Sequence, residues 1–340
     1  GVLLWGSGAI VSLMDTPPEA VSGTVRYLTV CFAGIPFIVA YNVIASVFRG
    51  QGDSTRPMYF VAVACVVNIA LDFLLIGYMG LGPVGAALGT TLSQMASVLV
   101  SLVVIRRQRD LLHITGRDLR LQRRVIGHIF SIGVPVALQD GFIQVAFIAI
   151  TVIANGRGLI DAAAVGIVEK FIGLVFIVPS AMLATVSALA AQNLGAGDSL
   201  RARQVMWRAM AISVGYGVVV ALVLQVTPRW AVGLFTTDPA VLAQGADYLR
   251  GYVWDCIFAG VHFCFSGFFT ACGYSLISFG HNIISISLAR VPLAYLSSVY
   301  YPTTLFPMGI STCMGSVLSC VICIVAYRWM ARHQRFGPEA

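Results

Sequence analysis

Phe48-Arg49-Gly50-Gln51-Gly52-Asp53-Ser54 belongs to a frame that returns 221 residues later: Phe48 matches Phe269, Gly52 matches Gly273 and Ser54 matches Ser275. Working outward at the same offset, Tyr27-Leu28 matches Tyr248-Leu249, and Leu13, Thr16 and Pro18 match Leu234, Thr237 and Pro239. Downstream the register resumes after a three-residue insertion, with Pro83 against Pro307 and Gly85 against Gly309. Each identity is weak alone, but collinear matches in equivalent segments are hard to obtain by chance. Residues 11–94 and 232–318 therefore read as two versions of one membrane unit. In an apolar chain, parallel repeats of this kind point to a transporter, with the solute site expected where the halves meet.

The same offset predicts that the first unit is incomplete. Residues 128–231 open the second unit, and nearly all of their partners would fall before residue 1. The sequence also opens with Gly rather than Met. The expectation is that roughly 90–100 residues of the first unit are absent, about two spans and part of a third.

Hydrophobic residues make up 58% of the chain and charged residues 10%, with a mean hydropathy of +0.88. A soluble domain carries about 25% charge, so water is not the main solvent of this protein. Apolar runs fall at 24–48, 57–79, 83–105, 128–153, 163–191, 205–226, 245–270, 275–298 and 305–328, with a partial one at 1–13. Each full run can cross a bilayer as a helix, which satisfies its own backbone where water cannot. The class predicted is an all-α polytopic membrane protein. Its expected divisions are 1–105 for the rest of the first unit, 106–127 for a basic linker, 128–328 for the second unit and 329–340 for a tail.

Orientation follows from arginine. Alternate loops hold Arg49 and Arg56, then seven arginines from Arg106 to Arg124, then Arg201, Arg203 and Arg208, then Arg328, Arg332 and Arg335. The opposite loops hold Arg26, Arg157 and Arg229. Positive charge stays in the cytoplasm, which predicts a cytoplasmic linker and C-terminus in the cell membrane. The net charge of +7 is then a mark of topology, and a nucleic-acid partner is excluded. The linker has the pattern of an amphipathic surface helix, with Leu111, Leu112, Ile114, Leu119 and Leu121 among its arginines. The eight cysteines lie mostly inside spans without metal spacing and read as small apolar packing residues.

Asp72 is the first candidate for chemistry. It lies deep in the 57–79 span, one helical turn from Asn68 on the same face. An ionisable group at that depth costs several kcal/mol unless it faces a cavity or a partner. Counted from the cytoplasmic end, Asn68 lies about 16 Å and Asp72 about 22 Å up; Thr90 reaches a similar level from the other side, and Asn42 sits a turn or two lower. A carboxylate, two amides and a hydroxyl offer hard donors suited to Na⁺, with Asp72 as the metal-binding carboxylate, or to a proton relay. The alternative is that Asn68 and Asp72 only hydrogen-bond neighbouring helices.

The run from Phe48 to Ser54, followed by Asn68…Asp72 and Gly85-Ala86-Ala87-Leu88-Gly89-Thr90, resembles the multidrug and toxic compound extrusion (MATE) family. Ala191-Gln192-Asn193-Leu194-Gly195-Ala196-Gly197-Asp198 ahead of Arg201 resembles that family's loop between the second and third helices of a lobe. Ile132-Gly133-Val134-Pro135 resembles the start of its second lobe. The resemblance covers essentially the whole chain. It implies the twelve-helix, two-lobe MATE-type transporter fold, of which about the first two and a half helices would be missing here. It also implies a cation-coupling site at Asn42, Asn68, Asp72 and Thr90, completed by a first-helix aspartate that would lie upstream.

The second unit carries Gln139-Asp140, Glu169-Lys170, Asp255, His262 and Arg290 inside apolar runs. Some members of the family place a cation site there, with Asp255 in the matching helix. A structural ion-pair network and a solute-facing acidic patch both fit the residues. Asp140 and Gln144 share one helical face, and Asp255 and His262 another. These four are the expected substrate-binding residues, because a lone carboxylate in an apolar chamber attracts organic cations strongly.

No P-loop, catalytic triad or metal-ligand spacing appears, so the chain is not read as an enzyme and no organic cofactor is expected. The functional expectation is an antiporter, driven by Na⁺ or H⁺, that exports amphiphilic, cationic organic solutes. Its partners would be a small-molecule substrate and membrane lipid, and it is read as a monomer. The competing readings are a flippase for a lipid-linked precursor, which would want several arginines in the cleft, and a membrane scaffold, which would show no cation-dependent change.

Overall fold

Every regular element among the described residues is helical, as a chain that must satisfy its own backbone groups in lipid requires. The computed structural model describes Gly6, Gly8 and residues 18–107 and 122–333. The partial span expected at 1–13, most of the linker and nearly all of the tail beyond Arg332 lie outside the described residues.

The helices are α1 (Pro18–Gly50), α2 (Thr55–Asp72), which continues as a π turn over Phe73–Tyr78, and α3 (Gly82–Arg107). After the linker come α4 (Arg123–Asn155), α5 (Leu159–Val175), α6 (Ile177–Gly195), α7 (Ser199–Val226), the short α8 (Pro228–Gly233), α9 (Pro239–Tyr252) and α10 (Asp255–Ala271). Then follow α11 (Ser275–Ser285), a π turn over Ile286–Arg290, α12 (Val291–Tyr300) and α13 (Phe306–Arg332). Among the described residues, eight helical stretches are long and apolar enough to cross a membrane, or nine if α9 and α10 form one span. This is a multi-pass membrane protein. It divides into two compact units, Gly1–Arg120 and Leu121–Ala340.

The repeat is visible in the backbone. Asp53 N–H donates to Phe48 O at 2.9 Å, and Tyr274 N–H donates to Phe269 O at 2.8 Å, at the same 221-residue offset. Gly52 and Gly273 have φ of 87° and 83°. Both are the left-handed residue that closes a helix C-terminus with a six-to-one hydrogen bond, a position that disfavours any side chain. The matched glycines therefore end matched helices.

Two runs read from the sequence as single spans are broken. The 163–191 run splits at Phe176 into α5 and α6. Pro179 has no N–H to return to the carbonyl of Val175, four residues earlier. The Tyr216 hydroxyl of α7 takes that role, donating to Val175 O at 3.2 Å. The 245–270 run breaks after Tyr252, and α9 and α10 meet at 44°. Asp255 therefore opens a helix rather than lying inside the 245–270 run, and there the positive end of the helix dipole favours its charge. The linker is shorter than the 106–127 expected, because α3 runs to Arg107 and α4 begins at Arg123.

In the first unit, α1 and α2 pack on α3. In the second, α10 is the central helix, packed against α6, α7, α11 and α13, and it is buried along most of its length, from Asp255 and Cys256 to Phe268 and Phe269. In lipid, helices gain little from apolar burial against each other, so close approach through small residues matters more. At the crossing of α9 and α13, a Cβ on Gly251 or on Gly309 would run into the other helix's backbone. Arg157, at the turn between α4 and α5, pairs with Asp161 at 2.7 Å. Its guanidinium also donates to the carbonyls of Ser298, Tyr301, Pro302 and Thr304, closing the C-terminal end of α12. Six of the eight cysteines are buried between helices, with Cys31 partly buried and Cys65 exposed.

Candidate functional site

In the first unit, Asn68 and Asp72 lie one turn apart on α2 and both face Gly89 of α3. A Cβ built on Gly89 would collide with Asp72 Oδ1 and come within 3.4 Å of Asn68 Nδ2. Both of those atoms are buried without a hydrogen-bond partner, and an unpaired buried polar group of this kind costs about 1–3 kcal/mol. Asp72 stands immediately before the π turn Phe73–Tyr78, and such turns inside α-helices are frequent at functional sites. Thr90, next to Gly89, is exposed and donates its hydroxyl back to Ala86 O at 3.1 Å. Asn42 is exposed on α1 and donates its amide to Ile38 O at 2.9 Å. Of the four residues expected at this site, the structure brings Asn68 and Asp72 together, sets Thr90 beside their glycine and turns the Asn42 amide onto its own helix.

The second unit holds a cavity of about 370 Å³ lined from α4, α5, α6, α9, α10, α11 with the π turn that follows it, and α13. Asp140, Asp255 and His262 line it. Gln144 is exposed and is outside the lining; on α4 the cavity-facing row is Gln139, Ile143 and Phe147, at helical spacing. Asp255 is 2% exposed, with Ser316 as hydrogen-bonding neighbour, and its Oδ1 has no partner within hydrogen-bond distance. The walls are aromatic: Phe176 packs against Tyr252 and Phe263, with centroids 6.4 and 6.1 Å apart. Glu169 and Lys170 separate as their 100° offset on a helix requires. The glutamate is half-buried towards Tyr248 and Arg290, whereas the lysine is exposed.

Several residues at this cavity escaped the sequence reading. Tyr252, Phe147 and Asn282 carry no local signal, because seven helices must fold before they converge. His281 lies behind His262, with ring centroids 5.8 Å apart. Its two ring nitrogens are held by the hydroxyls of Ser266 at 2.7 Å and Ser319 at 2.9 Å, which joins α10, α11 and α13. Arg290 is visible in the sequence as a charge in an apolar run and as a candidate for the cleft, and the structure sets it in the cavity with Asp255.

The sequence model of the MatE family matches residues 1–74 and 135–296. The chain is 28% identical over 323 residues to the "Probable multidrug resistance protein YpnP" of Bacillus subtilis, a match covering 95% of this chain and 72% of that protein. It is 24% identical over 301 residues to the "Multidrug export protein MepA" of Staphylococcus aureus, covering 88% of this chain and 66% of MepA. The chain thus spans about two thirds of the length of such relatives. Among solved structures, a MATE protein in complex with MaL6 superposes with a TM-score of 0.90 at 23% identity, over 98% of this chain and 74% of that one. The Vibrio cholerae transporter VcmN in its bent form gives 0.86 at 19% identity, over 99% and 76%. At such identities the structures speak for the fold, which is that of the MATE transporters.

Proposed function

Because the chain belongs to the MatE family, we propose that it works as an ion-coupled exporter of amphiphilic, cationic organic solutes by alternating access. The observation that carries this reading is the second unit's cavity, which sets the buried carboxylate of Asp255 among aromatic walls. Little water screens a charge there, so an organic cation gains far more from Asp255 than it would at an exposed carboxylate. The aromatic faces of Phe176 and Phe263 suit the hydrophobic part of such a solute. Asp140 adds a second negative charge to the lining. The names of YpnP and MepA, which describe multidrug resistance and export, support the same reading.

Coupling is assigned to the first unit, at Asp72 with Asn68. Two ions are open to it, Na⁺ and H⁺, and the donors that converge favour the proton. A carboxylate with one amide beside it can accept a proton, whereas Na⁺ wants several oxygens at once, and the oxygens of Thr90 and Asn42 are not shown gathered there. The cytoplasmic linker and C-terminus, and the cell membrane as location, belong to the same proposal. A flippase is not favoured, since among the described residues Arg290 is the only arginine lining the second unit's cavity.

The test uses the full-length protein in cells and in proteoliposomes. Asp72→Asn should abolish efflux while leaving membrane insertion intact. Asp255→Asn should weaken export of cationic dyes more than of neutral compounds, with ion-driven gating preserved. Normal efflux by the Asp72 variant would overturn the coupling role, and equal loss of both solute classes would remove Asp255 from substrate recognition.

A further inference from the structure

Arg290 is the charge in the second unit's cavity that the export reading leaves without a task. It is the last residue of the π turn Ile286–Arg290. A Cβ on Gly315 of α13 would stand 3.0 Å from the Arg290 Cβ, so the arginine's stem is held by a helix that comes this close only because it carries glycine. Arg290 Nη2 donates to the Tyr252 hydroxyl at 2.8 Å, and the guanidinium lies over the Phe147 ring, 4.9 Å from its centroid. Its direction is therefore fixed, yet its bonding is incomplete. Arg290 Nε and Asp255 Oδ1 are both buried with no hydrogen-bond partner, and both residues line the cavity.

The two do not form an ion pair. Among the described residues, the ion pairs within 4 Å are Arg56–Asp53 and Arg157–Asp161. Asp255 and Glu169 act on Arg290 only as more distant charges. A structural pair in a dry interior would close up, because separated and unsatisfied charges are expensive there. Holding them apart on rigid helices, with one open position on each, is the arrangement of a preorganised binding site.

We propose that Arg290 determines specificity, taking the anionic group of a solute whose cationic group lies at Asp255 and Asp140. The preferred cargo is then an aromatic zwitterion rather than a simple monocation. This rests on the cavity being the substrate chamber.

Rhodamine B, with a free carboxylate, and its ethyl ester, a monocation, share one aromatic core. Fluorescence polarisation with the purified full-length protein in detergent should show the zwitterion binding at least about tenfold tighter, the worth of one charge-assisted hydrogen bond. Arg290→Gln should erase that preference by weakening the zwitterion alone, and Arg290→Lys should keep part of it. Equal affinity of the two dyes for the unmodified protein, which needs no variant to fold, would overturn the inference. So would an equal loss of both dyes in Arg290→Gln. Binding of neither dye to the unmodified protein would instead overturn the reading of the cavity as the substrate chamber, and this inference with it.

Discussion

A methyl group on Gly89 would run into the Asp72 carboxylate, so access to the aspartate depends on a residue with no chemistry of its own. Gly89→Ala should push the carboxylate aside or be accommodated by a shift of α3, at an overpacking cost of about 1–3 kcal/mol. The expected outcome is a loss of at least about tenfold in dye efflux with normal membrane levels, since a 1.4 kcal/mol misplacement already amounts to that factor. Thr90→Ala removes a hydroxyl already bonded to Ala86 O and should cost much less. If the threonine variant lost more efflux than the glycine variant, the geometry assigned to this site would be wrong. From sequence, Asp72 and Asn68 stood out because an ionisable group deep in an apolar span is costly unless it faces a cavity or a partner. Gly89 did not, because its role exists only once α3 lies against α2.

At the scale of elements, proline positions are plain in the sequence, but the groups that compensate for them are not. Pro135 of α4 leaves the Ser131 carbonyl without its helical donor, and the Ser275 hydroxyl supplies one at 3.0 Å. Pro179 does the same to Val175, and Tyr216 supplies the bond. Each donor comes from far along the chain, so periodicity and spacing cannot reveal it. That is also why the 163–191 run reads as one span until Tyr216 of α7 is seen to stabilise its break. Tyr216→Phe should lower the stability of the purified protein by about 1–3 kcal/mol, because the buried Val175 carbonyl is then left unpaired. In a Pro179→Ala background the new N–H can reach that carbonyl, so the same substitution should cost measurably less. Thermal unfolding of the four proteins gives the coupling energy directly, and strict additivity would show that the two groups do not share the carbonyl.

For the whole molecule, the repeat and the nine apolar runs were legible because span length and charge are set by the bilayer, whatever the packing. The cavity was not, since its lining is gathered from seven helices and depends on how they cross. The charge pattern adds a constraint on the broken helices. The arginine-rich connections alternate with poor ones only if α5 with α6, and α9 with α10, each count as one crossing. The breaks at Phe176 and after Tyr252 must then lie within the membrane, beside the cavity that Phe176, Tyr252 and Asp255 line. The expected topology puts Gln122 and Gln334, the second outside the described residues, in the cytoplasm, and puts Thr237, in the exposed connection between α8 and α9, outside. Single cysteines at these positions, with Cys31 and Cys65 replaced by alanine, can be probed with an impermeant maleimide on intact cells. Thr237→Cys should label at once, whereas Gln122→Cys and Gln334→Cys should label only after permeabilisation. Labelling of both cytoplasmic sites in intact cells, with Thr237→Cys protected, would mean the orientation is reversed. Labelling of Gln122→Cys together with Thr237→Cys would mean that α5 and α6 do not cross as a single span, and labelling of Gln334→Cys together with Thr237→Cys, with Gln122→Cys protected, would mean the same of α9 and α10.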